Sequence, residues 1–287
     1  MLGVQVDVGP SLPTGGSGRK GHKGIKMNGN DIDGPAFRPV ARDLWTAFGL
    51  LTRLPLPFPD FDATDPRPAA HAAWAYPLVG LVVGLIMALT GGLAMAIGLP
   101  AEPAALLMLL AGVLTTGALH EDGLADCADG FWGGWNVERR LEIMKDSQIG
   151  AYGVIVLILA LGMKIVALAG LLAAGTVLMP LLASAMLSRA AMVGVMHLLP
   201  NARGTGLSKR TGHPPRAAAL TAGALALVAA LLLGWVGILA LLLAVAAAAV
   251  VALVARRKIK GQTGDVLGAT QQVVEITVLL TCLATLP

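Results

Sequence analysis

The stretch AYGVIVLILALGMKIVALAGLLAAGTVLMPLLASAMLSRAAMVGVMHLL, residues 151–199, decides the class of fold. Its only Lys, Arg, Asp or Glu residues are Lys164 and Arg189, and Gly175 divides it into two apolar runs. A helix that crosses a bilayer needs about 20 predominantly apolar residues, and 151–174 and 176–199 each supply that length. Further apolar stretches run over 74–98, 103–119, 217–233, 236–255 and 266–286. The spacing predicts an all-α, polytopic transmembrane helical bundle of about seven spans. The second and fifth stretches are at the short limit.

Composition agrees. The 287 residues are 56% hydrophobic and 13% charged, with a mean hydropathy of +0.75, against about 25% charged in soluble domains. A soluble globular protein is excluded. Aromatics make up only 4%, so the apolar mass is Ala, Leu, Val and Gly, which suits close helix packing in a membrane. The net charge of +4 does not point to nucleic acid, because no basic stripe with interleaved aromatics is present. The partner implied by the basic residues is membrane lipid. Cys127 and Cys282 have no paired spacing, which excludes a zinc site or disulfide framework.

The basic residues also orient the chain. The turns at 99–102, 175 and 234–235 contain no Lys or Arg. Of 21 Lys and Arg, 8 precede the first span, 3 follow the second, 4 follow the fourth and 4 follow the sixth. The positive-inside rule puts the N-terminus and the three long loops in the cytoplasm. An odd number of spans leaves the C-terminus on the far side.

Residues 1–39 are rich in Gly, Asp and Lys without periodicity or an apolar leader core, so they read as a disordered tail, with Met27 as an alternative start. Residues 40–287 read as a single integral membrane domain. Within 40–54, Leu44, Trp45, Phe48, Leu51 and Leu54 recur at helical spacing opposite Arg42, Asp43 and Arg53, the pattern of an amphipathic helix in the interface. The run PLPFPDF ends it.

The strongest chemical signal is HEDGLADCADG, residues 120–130, in which Asp122, Asp126 and Asp129 recur at i, i+4 and i+7. On a helix they share one face. Stacked carboxylates repel one another unless a cation neutralises them, and hard oxygen ligands favour Mg²⁺ or Ca²⁺. Mg²⁺ held by carboxylates usually also holds phosphate, so the implied substrate is a phosphate ester or anhydride. A solvated acidic turn is the plain alternative, but it does not require this spacing. His120 is a candidate fourth ligand or base, or a hydrogen-bonded helix-end residue.

The other loops add charge. Residues 131–153, FWGGWNVERRLEIMKDSQIGAYG, read as an interfacial amphipathic helix closed by Gly150. In it Lys145 and Asp146 either serve phosphate and metal or form a salt-bridged face. The loop PNARGTGLSKRTGHPPR, 200–216, places Arg203, Lys209 and Arg210 among glycines, a phosphate cradle or topogenic charge. Asp265 opens the last span, where it either caps the helix or reaches the metal. Arg189 and Glu275 each lie about 15 Å from the cytoplasmic end of a span at 1.5 Å per residue. They are expected to face each other or a polar substrate channel. Lys164 is expected to snorkel to the far side.

The strings LLTRLPLP (50–57), HEDGLADCADG (120–130), RLEIMKDSQIGAYG (140–153) and GQTGDVLGA (261–269) together resemble the cobalamin synthase family, the adenosylcobinamide-GDP ribazoletransferases. The resemblance runs from about residue 42 to the C-terminus. It implies an integral enzyme of the bacterial inner membrane, acting late in vitamin B12 assembly. The reaction implied joins adenosylcobinamide-GDP to α-ribazole or its 5′-phosphate, releases GMP and needs Mg²⁺. Combined with the residues above, it implies metal on Asp122, Asp126 and Asp129, with Asp146 and Asp265 as further ligands. Lys145, Arg203, Lys209 and Arg210 become diphosphate contacts and His120 or a non-ligating Asp the base. The same resemblance is compatible with a homo-oligomer or with association with other cobalamin-assembly enzymes.

Two other readings are weighed against it. The sequence is loosely similar to CDP-alcohol phosphotransferases, whose Asp-x-x-Asp-Gly is matched by Asp126 to Gly130, but Phe131 to Gly134 break the pattern. A transporter would concentrate its ligands near the midplane, whereas most acids here lie in loops and at helix ends.

Overall fold

A computed structural model describes residues 38–56 and 68–286; residues 1–37 of the expected tail and most of PLPFPDF lie outside the described residues. All seven apolar stretches are helices. Among the described residues there is no strand, only an isolated parallel bridge between Asn201 and Gln262.

Helix α1 (Ala41–Leu51) is followed by a 3-10 turn, Ala69–Ala75, that runs into α2 (Tyr76–Ala96). Next come α3 (Ala101–Thr116), α4 (Leu119–Gly133), α5 (Val137–Ile143), α6 (Ala151–Ala173) and α7 (Leu178–Leu198). The chain ends with α8 (Leu207–Thr211), α9 (Arg216–Leu231), α10 (Trp235–Ile259) and α11 (Gly264–Ala284). Five helices are long and apolar enough to cross a membrane: the run Ala69–Ala96, α6, α7, α10 and α11. Helices α3 and α9 have 16 residues each, about 24 Å at 1.5 Å per residue, short of a full crossing. Their 17-residue stretches foretold this.

α3 and α4 meet at an 88° bend, and counting the pair as one broken span gives six. The bend is made by two consecutive left-handed residues, Gly117 (φ 67°) and Ala118 (φ 57°), a conformation that glycine adopts readily and alanine rarely. It turns α4, with four carboxylates in 15 residues, away from the apolar span.

Outward faces carry Leu89, Leu114, Ile158, Val228 and Leu242, all more than half exposed, an apolar girdle of the kind that lipid covers. α11 is the central helix, packed on α4, α6, α7 and α10. It meets α4 through glycine. A Cβ on Gly123 would stand 2.8 Å from the Asp265 carbonyl oxygen, closer than side chains pack, and one on Gly268 3.2 Å from the His120 Cα, a tight fit, so the glycines permit the close approach.

Two local expectations are corrected, and one choice between two readings is decided. Asp43, expected on the polar face of α1, is buried and accepts a hydrogen bond from Trp74 Nε1 at 2.8 Å, which satisfies a carboxylate that water cannot reach. The interfacial helix expected to run to Gly150 ends at Ile143, and Met144 just past it is buried against Gly130. The cap of α11 is Thr263, whose side chain accepts from the Val266 N–H at 3.4 Å, leaving Asp265 free for another partner.

Candidate active site

α4 and the N-terminus of α11 bring three carboxylates to one end of the bundle. Asp122 is exposed and Asp126 half-buried, and Asp265 pairs with Arg203 at 3.1 Å while accepting from Thr263 Oγ1 at 3.1 Å. Arg203 is fixed by its loop: its N–H donates to Asn201 Oδ1 at 3.0 Å and its Nη2 to the Leu141 carbonyl at 3.3 Å. That loop is clamped to the start of α11, where the Ala202 N–H donates to the Gln262 carbonyl and the Gln262 N–H to the Pro200 carbonyl, each at 2.8 Å. Arg203 Nε is buried without a partner.

Two cavities adjoin Asp122. The first, about 150 Å³, has an apolar wall that includes Leu50, Leu51, Tyr76 and Met196 and a polar edge that includes Arg203 and Asp265. The second, about 320 Å³, is lined by Asp122, Asp126, Lys145 and Asp146 among others. Burial, reinforced by the negative charges of Asp265 and Asp122, pushes the Asp126 carboxyl up to about 7, with Arg203 opposing. Like charge crowded at a half-buried carboxylate is the electrostatic condition that a bound cation relieves.

The expected residues therefore divide. Asp122, Asp126, Lys145 and Asp146 meet at the second cavity, and His120, Asp122, Arg203 and Asp265 at the first. Asp129 lines neither; its two oxygens accept the N–H groups of Gly150 and Gly153 at 2.7 and 2.9 Å, which caps the N-terminus of α6. Lys209 and Arg210 are exposed on α8 and line neither cavity.

Arg189 and Glu275 do face each other, 3.7 Å apart, inside the bundle. Lys164 does not snorkel. It is 2% exposed, with its Nζ 2.7 Å from Glu275 and 3.9 Å from Glu121. Two carboxylates against Arg189 alone would leave a net buried charge, and the ammonium supplies the balance. Glu121, Gln271 and Gln272 belong to this cluster: Gln272 Nε2 donates to Glu121 at 2.9 Å and Lys164 Nζ to Gln272 Oε1 at 3.0 Å. The sequence signal for them was the polar pair Gln271–Gln272 inside an apolar span. Tyr76, Leu50 and Leu51 also went unassigned as cavity walls.

Mg²⁺ fits the donor set. Among the described residues no three His, Cys, Asp or Glu side chains stand together as a ready-made cage. Mg²⁺ usually takes one or two carboxylates and completes its shell with water and substrate phosphate, and Asp122 and Asp126 offer that arrangement.

The fold and this site define a polytopic helical membrane protein with paired carboxylates and cations at one end of its bundle. The chain belongs to the cobalamin-5-phosphate synthase family, whose model matches residues 43–283. It is 45% identical over 245 residues to an adenosylcobinamide-GDP ribazoletransferase of Mesorhizobium japonicum, covering 85% of this chain and 93% of the relative. A relative of the same name from Bradyrhizobium diazoefficiens is 43% identical over 255 residues, covering 86% and 95%. One from a Sinorhizobium species is 42% identical over 247 residues, covering 83% and 94%. No solved structure matches the chain.

Proposed function

We propose that this chain catalyses the transfer for which its relatives are named, joining adenosylcobinamide-GDP to α-ribazole or its 5′-phosphate and releasing GMP. One observation carries the reading: Asp122 borders two cavities at once, with Arg203 on one side and Lys145 on the other. A diphosphate lying across Asp122 would meet a cation at each phosphate, as phosphoryl transfer requires. The apolar wall of the first cavity suits the fused aromatic base of a ribazole, since an apolar space of about 150 Å³ admits an aromatic ring.

In this reaction a ribose hydroxyl oxygen attacks the phosphorus on the cobinamide side. The new P–O bond forms as the bond to the GMP phosphate breaks, and GMP leaves with the electron pair. The hydroxyl proton passes to a carboxylate beside the first cavity, Asp265 or an Asp not engaged with metal. Arg203 orients the phosphate under attack, and Lys145 offsets charge on the leaving phosphate. Lys209 and Arg210, exposed near the first cavity on α8, steer the anionic substrate inward. Mg²⁺ would be held by Asp122 and Asp126, with Asp146 as a further donor, and would spread the charge that builds on the two phosphates. On this reading the site lies at the cytoplasmic end of a bundle in the bacterial inner membrane, an orientation that the bias of Lys and Arg toward that end supports.

Transport is the weaker reading, because the charge cluster within the bundle surrounds only about 20 Å³, room for one water. Mass spectrometry of the corrinoid product tests the proposal. Purified protein with both substrates and Mg²⁺ should yield the ribazole-linked corrinoid, and unchanged adenosylcobinamide-GDP from well-folded protein would overturn it.

A further inference from the structure

The turn between α4 and α5 is tied to the end of α10 by two cations. Arg140 Nε donates to the Gly134 carbonyl at 3.0 Å and its Nη1 to the Lys258 carbonyl at 2.9 Å, while Lys258 Nζ donates to the Phe131 carbonyl at 3.0 Å. Both side chains are thereby committed to carbonyls at helix ends, which lack partners within their own helices.

The clamp leaves two aromatic rings and two cations outside it. Trp132 and Trp135 are 59% and 77% exposed. Lys258 Nζ lies 5.5 Å from the centre of the Trp132 ring and the Arg139 guanidinium 5.9 Å from that of Trp135. Beside Lys258, Arg256 and Arg257 are exposed, and neither pairs with a carboxylate among the described residues. The acids of α5 are Glu138 and Glu142, and Glu142 is paired with Arg139 at 3.1 Å. Residues 131–143 and 253–260 together hold six Lys and Arg against two Glu. At 100° per residue, Leu242, Val250, Leu253 and Arg257 fall within an arc of about 80° on α10, and all four are exposed. Arg257 therefore ends a stripe of the apolar girdle, where acyl chains give way to headgroups.

We propose that this surface binds the headgroup of an anionic phospholipid from the leaflet at this end of the bundle. Charge is complementary, since a cluster of Lys and Arg next to a span attracts anionic lipid. Tryptophan suits headgroup depth, because its ring is apolar and its N–H finds a polar partner there. The cations over Trp132 and Trp135 hold the rings in place without neutralising the surface. The α10 stripe continues from Arg257 into the girdle and takes the acyl chains, so the occupant is a lipid rather than a soluble anion. The lipid site does not rest on the transfer reading above.

The test uses the full chain in phosphatidylcholine nanodiscs containing a minor fraction of phosphatidylglycerol brominated on its acyl chains, which quenches tryptophan fluorescence on contact. Brominated phosphatidylcholine at the same fraction is the reference. The anionic lipid should quench the wild-type protein more than the zwitterionic one does. Trp132→Phe/Trp135→Phe should remove most of that excess, although Trp45, Trp74 and Trp235 remain. Arg256→Gln/Arg257→Gln should weaken the preference for the anionic lipid by about 30-fold, the effect of two surface cations together. Should the arginine variant not insert, raised salt on the wild-type protein takes its place and should shrink the same excess by screening. Equal quenching by the two lipids, or an excess that survives either double variant, overturns the proposal.

Discussion

Replacing Glu275 by glutamine removes the carboxylate that lies 2.7 Å from Lys164 and 3.7 Å from Arg189. The cluster then holds two cations against Glu121 alone. Removing one member of a buried ion pair costs about 3–5 kcal/mol, because the partner stays desolvated. Lys164→Met leaves the opposite imbalance, two carboxylates against Arg189, and should cost a similar amount. The double variant Lys164→Met/Glu275→Gln keeps one cation and one carboxylate, so its cost should fall short of the sum by about 2 kcal/mol, within the range found for directly coupled residues. At about 1.4 kcal/mol per tenfold, the shortfall is roughly 30-fold in the unfolding equilibrium. The assay is equilibrium unfolding in mixed detergent micelles, followed by helical circular dichroism across the four proteins of the cycle. Additive costs would refute charge balance as the reason Lys164 is buried.

The carboxylates of α4 should separate by role. Asp122→Asn and Asp126→Asn should each lower Mg²⁺-dependent turnover by about 100-fold or more, whereas Asp129→Ala should cost about 1–2 kcal/mol of stability through the lost cap of α6 and leave cation affinity intact; titration calorimetry with Mg²⁺ distinguishes them. The Asp126 carboxyl, raised to about 7, gives a pH signature in protein stripped of divalent ions. Its folded value lies above the unfolded one, so the stabilisation is complete at acid pH and is lost as pH rises through 7. Melting temperature should therefore fall between pH 5 and 8 and recover when Mg²⁺ is added at pH 8. Gly123→Ala places a methyl 2.8 Å from the Asp265 carbonyl and should cost about 1–3 kcal/mol by overpacking, measurable in the same micelle assay.

The apolar helices were legible because a bilayer imposes a length that a run such as 151–174 either meets or does not. The Arg189–Glu275 pair was legible from depth alone, since a charge in a span needs a partner. Direction around a helix was not. Glu121 and Asp122 are neighbours in sequence, yet Glu121 turns into the bundle while Asp122 borders the cavities. Asp122 and Asp129, seven residues apart, share a face to within about 20°, as expected. That face serves two ends, however, because the start of α6 arrives at Asp129. The Asp265–Arg203 pair joins a loop and a helix far apart in sequence. It depends on the 200–203 loop clamping against Gln262, for which no periodicity gives a sign.

The most direct test of the central claim is release of GMP from adenosylcobinamide-GDP by the purified chain in liposomes, with α-ribazole present or omitted and Mg²⁺ present or chelated. The account predicts release only when both are present, and its abolition by Asp122→Asn. Release that ignores the ribazole, or persists in Asp122→Asn, would contradict a transfer centred on that carboxylate.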